Sequence, residues 1–141
     1  MRFNTAQVLD LVCVPKETLR HWKTVLPPIR QRDGRSAQYT FAELVALSVI
    51  AAAVQGLAIP ISRFTSEAEW LFGEIANWLE MGSPPAYFRI LPNEMKLDSS
   101  SESEDVAVMC VVAVHIVVAH LKTKLAQPNE KAKASQLAFR F

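Results

Sequence analysis

Apolar residues recur at helical spacing through the first eighty positions, then shift to shorter periods. Val8, Leu9, Leu11 and Val12 supply one face of a short helix over about 4–12, with Thr5 placed to cap it. Cys13-Val14-Pro15 interrupts that helix. A second short helix over about 16–23 turns Leu19 and Trp22 inward, and Pro15 suits its start because no backbone N–H is needed there. Two short helices with so brief a break predict a helix-turn-helix unit. Pro27-Pro28 halts helix formation, and Arg30-Gln31-Arg32-Asp33-Gly34-Arg35 sets three arginines around an Asp-Gly turn signal. The expectation for 26–38 is an extended hairpin with a basic tip. Thr40, with Glu43 three residues on, forms a capping box for a helix over 41–55, whose apolar set is Leu44, Leu47, Ile50, Ala51 and Val54 and which Gly56 ends. A fourth helix is expected from Pro60 or Ser62 to about Glu80, carrying Phe64, Trp70, Leu71, Ile75, Trp78 and Leu79.

The C-terminal third has a different period. Segments 86–91 and 94–98, separated by Pro-Asn, predict a hairpin, and 99–105 is a polar, acidic loop. Valine dominates 106–113 and favours a strand, after which Val114, Val117, Val118, Leu121 and Leu125 fit a helix with Lys122 and Lys124 at its C-terminal end. One continuous helix from Glu104 is the rival reading. The apolar run 106–119 holds 14 residues and includes His115, short of the roughly 20 that span a bilayer, so a buried element is expected and no membrane span. The fold class is therefore mainly α with small β (α+β). A helix-turn-helix unit occupies 1–82, a strand-and-helix C-terminal module 83–127, and a tail 128–141.

Charge distribution changes this picture more than composition does. In 141 residues, half of them hydrophobic, the net charge is only +1. Residues 1–40, however, carry seven Lys/Arg against three Asp/Glu, residues 41–105 three against ten, and residues 106–141 five against one. A basic head on an acidic middle is the pattern of a localised anion-binding surface, with the acidic part repelling phosphates elsewhere. Two distant cysteines, Cys13 and Cys110, give neither a disulfide framework nor zinc spacing, and the N-terminus lacks an apolar leader, which together fit a reducing cytoplasm. His115 and His120 stand five apart, off the spacing of a helical metal pair, and are expected to be structural or interfacial. Glu67, Glu69 and Glu74 read as a solvated face. No nucleophile has a placed base and no Gly-rich loop cradles phosphate, so no enzyme, metal or cofactor is expected.

Four blocks in order resemble a known family. Val14-Pro15-Lys16-Glu17-Thr18-Leu19-Arg20-His21-Trp22 resembles the opening of the MerR-type winged helix-turn-helix domain, whose recognition helix reads Thr-Leu-Arg followed by an aromatic pair. Leu26-Pro27-Pro28 resembles the segment leading into its wing, and Gly34-Arg35 with Tyr39-Thr40 resembles the wing tip and following helix cap. Glu43-Leu44, Leu47, Ile50 and Gly56-Leu57 are similar to its third helix and terminating Gly-Leu. The likeness covers about residues 3–80. It departs at Cys13 and Pro15, where the family has glycine and serine, and at Glu17, an anion on the helix that would face DNA. The family's long dimerisation helix and metal-sensing cysteines have no counterpart.

The resemblance implies a winged helix-turn-helix that binds double-stranded DNA, a bacterial or prophage transcriptional regulator in the cytoplasm at the nucleoid. An excisionase-like DNA-bending protein, or an interaction module that has lost DNA binding, are the alternatives. The implied DNA-binding residues are Lys16, Thr18, Arg20, His21, Lys23, Arg30, Arg32, Arg35 and Tyr39. Arg20 follows a core leucine and points outward, where its planar fork suits a phosphate or a guanine edge. Lys16 and Lys23 act as point charges on phosphates, and Arg30, Arg32 and Arg35 straddle the backbone from the wing. His21 and Tyr39 are equally open to packing roles. One helix-turn-helix reads few bases, so a homodimer or larger assembly is expected, with Val114, Val117, Val118, Leu121 and Leu125 as its interface. The sequence leaves any small-molecule effector open.

Overall fold

A computed structural model describes residues 2–30, 32, 38–99 and 108–127. Strand β1 (Arg2–Phe3) leads into helix α1 (Thr5–Val12). Its N-cap is Asn4, not Thr5: Asn4 Oδ1 accepts from the Gln7 amide at 2.9 Å, and Gln7 Oε1 accepts from the Asn4 amide at 2.8 Å. This reciprocal pair satisfies two donors that a helix start leaves orphaned. Cys13 ends α1 in the left-handed conformation, φ 62°, which only glycine adopts without strain. Helix α2 (Lys16–Val25) follows Pro15 and buries Leu19 and Trp22.

The expected hairpin over 26–38 is corrected at its described start, 27–29. Pro27–Ile29 forms a 3-10 turn, with the Ile29 amide donating to Leu26 O and the Arg30 amide to Pro27 O, both at 3.2 Å. Two prolines at its start cost no hydrogen bond because those amides would have had no helical acceptor. Strand β2 (Tyr39–Thr40) pairs antiparallel with β1, Arg2 opposite Thr40 and Phe3 opposite Tyr39, so its partner is the N-terminus of the chain. The expected tip at 33–37 lies outside the described residues.

Thr40 and Glu43 form the expected capping box on helix α3 (Phe41–Ala51), which continues as a π turn over Ala52–Gly56. The fourth helix begins later than its pattern suggested. Ile61–Phe64 is a 3-10 turn, and helix α4 spans Ala68–Glu80. Arg63 fixes that turn by donating to Leu91 O and Pro92 O, each at 2.7 Å. Gly82, at φ 92°, closes α4, and the Ser83 amide reaches back to Trp78 O at 3.2 Å.

Strands β3 (Tyr87–Ile90) and β4 (Met95–Asp98) make the expected hairpin. Strand β5 (Cys110–Ala113) pairs antiparallel on the other side of β3, giving the order β4-β3-β5. Helix α5 (Val114–Ala126) follows directly, so the chain switches from strand to helix at Val114 and the described part of the segment is not one continuous helix. The protein is α+β, with two small sheets among the described residues.

The boundary expected at residue 82 divides the sequence, but packing runs across it. One hydrophobic core joins Phe3, Leu19, Trp22 and Leu47 to Phe88, Val112, Val118 and Leu121. Helix α5 lies against α3, and Lys124 Nζ donates to Leu11 O at 3.1 Å. The expected interface is corrected accordingly. Val114, Val118 and Leu121 are 0%, 4% and 3% exposed and are spent inside this core, whereas Val117 and Leu125 pack partly on it.

Candidate nucleic-acid interface

Helix α2 positions the basic residues. At about 100° per residue, Lys16, Arg20 and Lys23 fall within an arc of roughly 60°, beside but not upon the face that Leu19 and Trp22 bury. Arg30, at the end of the 3-10 turn, comes to the same place. These four cations line an open groove of about 940 Å³ between α2 and the first turn of α1. Its floor includes Leu9 and Leu19, and its opposite wall is Asn4, Thr5 and Ala6. Glu17 is the near anion. Its carboxylate lies 3.3 Å from Arg20 Nη1, and the two side chains are 75% and 65% exposed. A solvent-exposed pair of this kind is worth little, so Arg20 is released at small cost.

The remaining expected contacts separate from this groove. Thr18 lies roughly 140–160° around α2 from the basic arc and is half-buried, and His21 is exposed but roughly 100° from Arg20. The His21 carbonyl accepts from Thr24 Oγ1 at 2.6 Å. Arg32 is corrected from DNA contact to internal tie. Its Nη2 lies 2.8 Å from Glu43 Oε2, its Nη1 donates to Glu43 Oε1 at 2.9 Å and to the Gln38 carbonyl, and its guanidinium sits 5.7 Å over the Tyr39 ring. Tyr39 is completely buried, so packing, not a phosphate, occupies it. Arg35 lies outside the described residues.

The basic pattern of the sequence does not mark the wall opposite α2. Asn4 and Thr5 carry it, and Thr5 Oγ1 is closed to solvent with no hydrogen-bond partner. The signal was present as the Asn4-x-x-Gln7 spacing of a capping box, which places the first turn of α1 one residue earlier than a Thr5 cap does.

Of the acidic residues on or beside α4, Glu69 is exposed while Glu67 and Glu74 are half-buried. His115 packs structurally: its Nδ1 lies 3.2 Å from the Ala86 amide, and its ring meets Tyr87 edge-on at 5.2 Å. Among the described residues no three His, Cys, Asp or Glu side chains gather as a metal site, and no helix is long and apolar enough to cross a membrane. The chain matches no protein-family model, no curated protein and no solved structure.

Proposed function

We propose that the chain binds double-stranded DNA as a winged helix-turn-helix protein, a sequence-specific transcriptional regulator working as a homodimer at the bacterial nucleoid. The observation that carries this reading is the gathering of Lys16, Arg20, Lys23 and Arg30 on one open groove beside α2, whose Arg20 is held only by an exposed carboxylate. Helix α2 enters the major groove, Arg20 addresses a base edge, and Lys16, Lys23 and Arg30 neutralise flanking phosphates. Two copies set their α2 helices about one DNA turn, or ~34 Å, apart. With Val114, Val118 and Leu121 inside the core, the outer surface of α5 at Ile116, which is 47% exposed, takes their place in the dimer contact.

The test is fluorescence anisotropy on duplex DNA across a salt series. The wild-type chain should show a steep salt slope. The Lys16→Gln/Lys23→Gln/Arg30→Gln variant should bind every sequence more weakly, with the slope reduced by roughly one unit for each phosphate left without its cation. Unchanged affinity and slope would overturn the reading of this face.

A further inference from the structure

The basic groove beside α2 offers more than DNA phosphates require. Phosphates need the cations of its rim, yet the surface between those cations is aliphatic. Ala6 on one wall is exposed, Leu9 on the floor is partly so, and Leu19 lies buried with it. Among the described residues that line the groove, none is acidic and none is aromatic. Its volume of about 940 Å³ falls within the range of small-molecule sites. Four like charges gathered on one groove repel one another, and an anion among them relieves that repulsion. Lys16, Lys23 and Arg30 have no carboxylate partner among the described residues, and Arg20 has only the exposed Glu17. A cationic rim around an aliphatic floor complements a ligand built of the same two parts, an anionic head and an apolar body. With no aromatic side chain to stack on, a flexible aliphatic body fits this floor better than a ring does.

We propose that this groove binds a medium-chain aliphatic carboxylate and that the bound acid displaces DNA, a consequence that rests on the DNA reading above. The carboxylate pairs with the guanidinium groups of Arg20 and Arg30, whose planar forks match its two oxygens. The hydrocarbon chain covers Ala6 and Leu9, which takes their surface and its own methylenes out of water. Carboxylate and DNA phosphate draw on the same cations, so each ligand excludes the other. A rise in free acid therefore raises the apparent Kd for DNA.

The experiment titrates the full chain with butanoate, hexanoate and octanoate by calorimetry, with octylammonium as the cationic control, and locates the ligand by amide chemical shifts in NMR. Octanoate should bind and octylammonium should not. Each added methylene should tighten binding about two- to fourfold. Shifts should centre on residues 4–9, 16–24 and 30. Arg20→Gln/Arg30→Gln, which alters two exposed side chains and should keep the wild-type spectrum elsewhere, should weaken octanoate about tenfold. Binding of octylammonium as tight as that of octanoate, affinity independent of chain length, unchanged affinity in the double variant, or shifts centred on 48–56 and 117–124 would each overturn the site. In anisotropy on duplex DNA, octanoate should raise the apparent Kd and octylammonium should not. DNA held undiminished at saturating octanoate would overturn the displacement. A chain that binds octanoate at these residues but binds no DNA would overturn the DNA reading and the displacement with it, and would leave the carboxylate site standing.

Discussion

Arg20 and Arg32 look alike in the sequence, each a basic residue in a segment expected to meet DNA, yet they are held in opposite ways. Arg20 is held only by an exposed carboxylate, so Arg20→Ala should leave stability nearly unchanged and cost about 1–3 kcal/mol of binding at a preferred DNA site, read by comparing anisotropy on preferred and scrambled duplexes. Arg32→Ala should instead lower the urea midpoint by an amount worth about 1–3 kcal/mol, because it strips partners from Glu43, a largely buried carboxylate that also holds the start of α3. Its effect on DNA binding should track that loss of stability. The arginines' number and spacing were legible in the sequence. The difference between them was not, because it depends on Glu43, eleven residues away, and on the fully buried ring of Tyr39. Periodicity assigns a residue to a face, but the partner that claims a long side chain is chosen by the tertiary fold.

Element boundaries follow a similar division. The capping box at Thr40 and Glu43 was readable because both halves lie within one turn of each other. The hairpin of β3 and β4 was readable because its turn residues sit between two short apolar segments. Residues 27–29 form a 3-10 turn where a hairpin strand is expected because two prolines and the charge that follows fit both locally, and the pairing of β2 with β1 joins residues far apart in sequence. The turn between α1 and α2 carries a stability prediction of its own. Cys13 holds φ 62° without the tolerance of glycine, so Cys13→Gly should raise stability by up to about 1 kcal/mol, measured by thermal or urea unfolding. Asn4→Ala should lower it by about 1 kcal/mol, since both hydrogen bonds of the α1 capping box depend on that residue or its position.

At the scale of the whole molecule, the shared core makes the two sequence-defined modules one unfolding unit. Leu121→Ala, which empties a site 3% exposed between α5 and the rest of the core, should cost about 2–5 kcal/mol and shift the melting of signals from Trp22 and Trp78 together. A first transition confined to the C-terminal third would show that the core is two cores. The strand-to-helix switch at Val114 was foreseen from valine enrichment, but the role of α5 was not. Its apolar positions look the same whether they meet a second copy or α3 of the same chain, and only the assembled core reveals that Val114, Val118 and Leu121 are already taken. The contact of Lys124 with the end of α1 spans 113 residues. During synthesis, therefore, the basic helix leaves the ribosome long before the segment that supports its neighbour has been made. Contacts so distant in sequence form late, and until then the apolar faces of α1 and α3 are open to chaperones and to aggregation. A nascent chain stalled before Val114 has emerged should be protease-sensitive throughout its N-terminal half, and one extended past Ala126 should become resistant in a single step.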